Sequence, residues 1–181
     1  AIFRLLRFPV IADKSYLMTI FDRFVTGLVV SDSLIGPWQV AVSDYHVMLT
    51  NFDFEVYQGV ALALGERSPL GSLDPKSNVR MAIGEAITNI AGANISHLAD
   101  LKLQLNIQID TDDVAAIQVI KQTALEISQA LCVEITFQCE QSDFLNIVVV
   151  AEAVVADVRK KVTPKLVTDS GSTLLILIDL S

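Results

Sequence analysis

Glu85 and Asn89 stand four residues apart, and a helix would bring both side chains to one face, where two oxygen atoms can point at a single cation. At ~100 degrees per residue Asn78 falls within about 40 degrees of them, so the three form a polar line beside an otherwise apolar stripe. A second carboxylate is available from Asp44, flanked by Val42 and Val47 in an extended run from Trp38 to Thr50. Magnesium takes oxygen ligands of this kind, keeping one or two protein carboxylates and completing its octahedron with waters and phosphate oxygens. The alternative is a solvated helix edge and a surface aspartate, and spacing alone leaves both open. Other catalytic vocabulary is sparse. His46 lies inside one predicted strand and His97 near the start of another, with no Ser or Cys arranged beside them as a nucleophile, so both read as structural. No glycine-rich phosphate loop and no zinc spacing occurs. Cys132 and Cys139 fall at a predicted strand and its end and would face opposite sides, unable to pair or to share a metal, which fits a reducing, cytoplasmic setting.

The elements that must hold these residues follow from pattern. Tyr16 to Ile20 and Phe24 to Val30, rich in β-branched and aromatic residues and separated by Asp22-Arg23, predict two strands with a short turn. Gly36-Pro37 breaks the chain before the Trp38 to Thr50 run, and Val56 to Leu64 predicts a fourth strand. Asp74-Pro75 supplies an N-cap and an N1 proline, and apolar residues at 79, 82, 83, 86, 87 and 90 hold a helical period up to Gly92. Leu101 to Ile109 alternates as a half-buried strand. A second helix opens at Asp112 and Asp113 and carries Ile117, Ile120, Ala124, Ile127 and Leu131 on one face. Val133 to Phe137, Leu145 to Val155 and Leu174 to Leu180 predict closing strands, with Val162 to Ser172 as a loop. The fold class is therefore α+β: a mixed β-sheet with two main helices packed on one face.

The chain of 181 residues suits a single domain, spanning residues 1–181. Apolar residues make up 52% and charged residues 19%, an excess over ordinary composition that needs an owner. No stretch is long and apolar enough for a transmembrane helix, and a net charge of -8 with scattered basic residues argues against nucleic acid. The excess then implies an apolar surface meeting another domain or subunit, expected on one face formed by the first three or four strands. The first residue is Ala1 rather than Met, so the chain reads as a segment of something longer.

Several motifs carry a resemblance. Asp13-Lys14-Ser15-Tyr16-Leu17, Asp22-Arg23, Val25-Thr26-Gly27-Leu28-Val29, Gly36-Pro37-Trp38-Gln39-Val40, Ala63-Leu64-Gly65-Glu66-Arg67 and Arg80 to Ile90, with its Gly84-Glu85-Ala86-Ile87-Thr88-Asn89, resemble phosphoribosylformylglycinamidine synthase, the glutamine-dependent ligase of purine biosynthesis. The likeness is to the second of its two AIR-synthetase-like, purM N-terminal-like subdomains. It is dense from about Lys14 to Asn94 and returns in Asp157-Val158-Arg159, in Thr163-Pro164 with Leu166, and in Leu174 to Leu180. The resemblance implies an auxiliary, structural nucleotide site for ADP or ATP with Mg2+, with Lys14 and Ser43 contacting the nucleotide and Asp44, Glu85 and Asn89 as metal ligands. Part of that site comes from another subdomain. It also implies partners: the homologous subdomains of the same chain, which pair through their strands into a barrel-like core, or a homodimer mate in their place.

The departures bear on activity. Where the family carries a Gly-Lys-Asp-Ser-Met-Ser-Met loop of the ATP-dependent amidation site, this chain has Gln138-Cys139-Glu140-Gln141-Ser142-Asp143-Phe144, without the lysine. Gln108 to Asp113 replaces a longer Gly-His-Pro-Gly-Glu-Asp-Ala segment, and Phe21 replaces a glycine. No catalytic residue is therefore expected in this segment. The expected role is scaffolding and an auxiliary Mg-ADP site within the parent ligase, the alternative being a degenerate, non-catalytic relative acting as a protein-interaction or homodimerisation module.

Overall fold

Asp74 opens the helix that organises the molecule. Its carboxylate accepts the Lys76 backbone N–H at 3.0 Å and Pro75 follows at N1, so the first turn is satisfied before any packing occurs. The computed structural model describes residues 2–53, 55–164 and positions 169, 171, 172, 174, 176 and 177. Along the chain the elements are α1 (Ile2–Leu5), α2 (Ser15–Ile20), β1 (Val29–Ser31), β2 (Leu34–Ile35), β3 (Val40–Ala41), β4 (Tyr45–Leu49), β5 (Gly59–Glu66), α3 (Ser68–Gly71), α4 (Pro75–Ile90), β6 (Lys102–Ile109), α5 (Val114–Leu131), β7 (Glu134–Gln141) and β8 (Asn146–Val155). Single 3-10 turns occur at Val25–Gly27 and Leu98–Asp100.

Six strands form one mixed sheet in the order β1-β4-β5-β8-β6-β7, antiparallel throughout except for the parallel β6–β7 pair that α5 connects. β2 and β3 make a separate hairpin. The alternation in the sequence decides which face is covered. Ala61, Ala63, Leu103, Leu105, Ile107, Ile147, Val149, Ala151 and Ala153 point to one side and are buried there against Val79, Ala82, Ile83 and Ala86 of α4 and Ile120 and Ala124 of α5. Neither long helix lies on the opposite face, where the short α2 reaches over part of the sheet through Met18. There Leu64 and Val154 remain exposed on β5 and β8, while β6 and β7 present Gln104, Asn106, Gln108, Gln138 and Glu140.

Both long helices, β6 and β8 stand where the periodicity puts them, β7 runs four residues past its predicted end at Phe137, to Gln141, into the stretch expected as a loop, and α+β with the long helices on one face is the observed class. The N-terminal third differs. Tyr16 to Ile20 is helical: Asp13 takes the Ser15 N–H at 2.9 Å and starts a turn, and the local turn wins over the strand composition of the residues after it. Phe24 to Val30 reduces to a 3-10 turn and the short β1, which pairs with β4 and not with its predicted neighbour. The Trp38 to Thr50 run is interrupted: Gly36 at φ 73° and Gln39 at φ 49° fold β2 onto β3 before the chain re-enters the sheet as β4. Cys132 is the left-handed C-cap of α5, not a strand residue, and both cysteines are free and exposed. The Leu174 to Leu180 run lies largely outside the described residues.

The apolar excess sits in two places. Part lies on the open face of β4, β5 and β8. More of it lies in the N-terminal segment, where no residue between Ile2 and Val30 is buried and Phe3, Phe8 and Phe21 are 81%, 60% and 70% exposed. After β8 the chain turns back along the sheet end. Arg159 stacks 3.8 Å from the Tyr57 ring centroid and makes two 2.8 Å bonds to Asp157, whose carboxyl they pull down to about 2.

Candidate functional site

The ladder between β4 and β5 ends at the Tyr45–Ala63 pair, yet β5 runs on to Glu66 against β8. Beyond that end two backbone groups of β5 are taken up by side chains of α4. Leu64 O accepts from Asn89 Nδ2 at 2.8 Å, and Glu66 N–H donates to Glu85 Oε2 at 3.1 Å. Glu85 and Asn89 thus extend the sheet in place of β4, a structural duty that also fixes their direction. Gly65 makes this possible, since its missing side chain lets the α4 backbone at Ala82 and Ala86 lie directly against the strand. With Nδ2 turned to the strand, Asn89 keeps Oδ1 unengaged, and Glu85 keeps Oε1 unengaged, among the described residues.

Asn89 lines a hollow of about 840 Å³ on the open sheet face. Its floor is Met48, Leu62, Leu64 and Val150, and the segment carrying Met18, Asp22, Arg23 and Val25 arches over it. Asp44 and Ser43 line the same hollow. Asp44 is exposed, and its carboxylate has no hydrogen-bond partner among the described residues. Ser43 is buried, donates its hydroxyl to Tyr45 O at 3.1 Å and its backbone N–H to Ser33 O at 3.2 Å, so both of its donors are engaged within the chain. Glu85 faces a neighbouring hollow of about 440 Å³, with Leu64 in the wall of both.

The sequence-derived set is therefore only partly assembled. Ser43, Asp44 and Asn89 share one hollow, Glu85 stands one helical turn along from Asn89, and Lys14 lines neither hollow. Lys14 Nζ instead donates to Val10 O at 3.1 Å and Ala12 O at 2.7 Å, closing its own loop. Asn78 leaves the polar line altogether: it is fully buried and donates to Arg67 O at 3.0 Å, anchoring the turn before α3. Among the described residues no cluster of three or more His, Cys, Asp or Glu could hold a metal. The donor set that remains, two carboxylates and an amide oxygen, has the hard-oxygen chemistry that suits Mg2+.

Two contacts in the hollow carried no sequence signal. Arg23 pairs with the buried Asp32 at 2.8 Å, and Asp32 Oδ1 also caps Leu34 N–H at 2.9 Å, so one carboxylate ties the N-terminal segment to the β2–β3 hairpin. His46, on the open face of β4, lies 3.1 Å from Ser33 Oγ through Nε2. Nothing in the residue types at 23 and 32 or at 33 and 46 announces these pairs, because the hairpin that brings them together straddles the Gly36-Pro37 break, with β2 in no predicted strand and β3 inside the Trp38 to Thr50 run.

Among solved structures, the chain is similar to PurLQS from Thermotoga maritima, with a TM-score of 0.65 and 15% identity over 85% of this chain and 25% of that one. It is also similar to T. maritima PurL complexed with ADP, at 0.58 and 16% over 85% and 26%, and to AaThiL complexed with AMPPCP and TMP, at 0.55 and 11% over 79% and 42%. At these identities the likeness shows the fold. The chain spans about a quarter of the PurL chains. No helix among the described residues is long and apolar enough to cross a membrane. A family model, the FGAR-AT PurM_N-like domain, matches residues 13–163, from the α2 approach to the turn after β8 and including every residue of the hollow; the chain belongs to that family.

Proposed function

We propose that this chain is a scaffold domain of a phosphoribosylformylglycinamidine synthase or a diverged relative, and that the open-face hollow is half of an auxiliary Mg-nucleotide site. One observation supports the reading: Asn89 and Glu85 spend one polar atom each on β5 and keep the other, a turn apart on α4, with Asn89 in the same hollow as the unpaired Asp44 carboxylate and Glu85 in the hollow next to it. In the assembled protein, Asp44, Glu85 and Asn89 would hold Mg2+ and the apolar floor would support the nucleotide body, with Ser43 at its side. Lys14 joins only if the Val10–Lys14 loop opens, since its ammonium is engaged with its own backbone. The bound metal would supply charge neutralisation for phosphate oxygens. The chain itself contributes position and carries out no chemical step. Two free, exposed thiols suit a reducing, cytoplasmic setting.

A thermal-shift titration with Mg-ADP tests this. Ligand at 100 times its Kd stabilises by about 2.7 kcal/mol, which for a chain of this size is a Tm rise of roughly 5–10 °C. The expected result is a saturable rise that EDTA abolishes and that Asp44→Asn and Glu85→Ala reduce. An unchanged Tm, or the same rise in the variants, removes the site from this chain.

A second reading, an interaction or homodimerisation module, is favoured by the exposed apolar side chains of the N-terminal segment and open face. Multi-angle light scattering should then show a species heavier than one 19.7 kDa chain at micromolar concentration, and a strict monomer ends the homodimer version.

A further inference from the structure

A smaller hollow, of about 350 Å³, shares Asp32 and Leu34 with the large one but opens onto the turn after β8, where Lys161 and Thr163 line it. Three observations coincide there. Ser31 is 5% exposed and its Oγ has no hydrogen-bond partner among the described residues, which for a buried hydroxyl is a standing cost. Lys161 reaches in from the other side: Nζ donates to Val30 O at 2.6 Å, leaving two of its three N–H groups unused among the described residues. The nearest carboxylate cannot serve Lys161 fully, because Asp32 is already bound by Arg23 at 2.8 Å. Arg23 stands in the larger hollow and takes Asp32 from that side, so Lys161 is left without a paired carboxylate among the described residues. Burial pushes the Lys161 ammonium down and the Asp32 carboxylate pushes it partly back, as expected for a cation short of a counter-charge.

Phe24, Val30, Leu34 and Ile35 form the apolar part of the wall, and Asp32, Gln39 and Thr163 stand with Lys161 and Ser31 in its polar part. A volume of this order accepts a small molecule, and a single cation without a paired carboxylate calls for a monoanion, since a phosphate dianion would leave a negative charge unmatched. We propose that this hollow binds a small monocarboxylate with a short branched apolar body, its carboxylate taken by Lys161 Nζ and Ser31 Oγ and its body lying against Phe24, Val30, Leu34 and Ile35. The site is separate from the Mg-nucleotide half-site: neither Lys161 nor Ser31 lines that hollow, so either can fail without the other.

The test is isothermal titration of the chain with isovalerate, with isovaleramide and inorganic phosphate as matched probes. Saturable one-to-one isovalerate binding is expected, at least about tenfold tighter than either comparison, because a charge-assisted bond is lost in the amide and charge balance in the phosphate. Ser31→Ala should weaken isovalerate about tenfold while leaving the Tm of the free chain unchanged or raised, since it deletes an orphaned hydroxyl. Lys161→Met should abolish binding; as it also loosens the Val30 contact, the Ser31 variant carries the decision. No saturation with isovalerate, amide or phosphate binding as tightly, or an undiminished Ser31→Ala variant would each overturn the assignment.

Discussion

Replacing Gly65 with alanine should cost the chain at least about 3 kcal/mol and take Mg-nucleotide binding with it. A Cβ at Gly65 would lie 2.5 Å from Ala86 N and 3.0 Å from Ala86 Cβ, and would press into Ala82 O. Two of those three atoms are helix backbone, which cannot rotate away as a side-chain tip could. Relief requires moving α4 off β5, and α4 buries Val79, Ala82, Ile83, Ala86 and Ile90 on that side. The same displacement would pull Glu85 and Asn89 away from Glu66 N and Leu64 O, so stability and site geometry fail together. Urea denaturation measures the first and the Mg-ADP thermal shift the second. Gly84 is the control: nothing lies within 4 Å of a Cβ there, and in a helix interior alanine should stabilise by about 0.5–1 kcal/mol. A Gly65→Ala loss below 1 kcal/mol would mean that α4 does not approach β5 as closely as described.

Arg23→Met is expected to cost about 3 kcal/mol and to free the N-terminal segment. The substitution keeps the length of the side chain but leaves Asp32, 7% exposed, as a carboxylate with one remaining bond, from Leu34 N–H. Leaving a buried charge unpaired is what makes breaking such a pair expensive, whatever the intact pair is worth. Because no residue from Ile2 to Val30 is buried, Arg23 is a principal tie between that segment and the sheet. Trypsin should then cut faster after Arg4, Arg7 and Lys14 than in the parent chain, and the double variant Arg23→Met with Asp32→Asn should recover most of the loss. Equal cleavage rates and equal denaturation midpoints would show that the tie is made elsewhere.

The chain was legible where local pattern and tertiary packing agree. Asp74-Pro75 and the 79, 82, 83, 86, 90 spacing name α4 because the local cap at Asp74 and the stripe that packs on the sheet specify the same helix. Leu101 to Ile109 and Leu145 to Val155 alternate because the long helices cover only one face of the sheet. Legibility failed where the deciding interaction is long-range or a local turn overrides composition. Tyr16 to Ile20 has strand composition, yet the chain turns at Asp13 and Ser15 into a helix that joins no strand of the sheet. Asn78 reads as an edge residue by angle, but the α3 turn folds over it and gives its amide Arg67 O. For the site, the i, i+4 pair of Glu85 and Asn89 was visible, and its attachment to the end of β5 was not, because that depends on β4 stopping at Tyr45. Lys14 illustrates a different limit: motif likeness assigns it a ligand, whereas nearby carbonyls already hold its ammonium.

The strand order also dictates a sequence of events in time. Among the described residues β8 is the last strand of the sheet to leave the ribosome, and it lies between β5 and β6, which do not touch each other as neighbours. A nascent chain that ends at Gln141 therefore holds two half-sheets: β1, β4 and β5 under α4, and the β6–α5–β7 unit. Their apolar inner edges stay unzipped until Asn146 to Val155 arrives and completes the ladders on both sides at once. Synthesis of this domain thus passes through an obligatory open stage, with the unpaired edges of β5 and β6 exposed to whatever chaperone or partner is at hand.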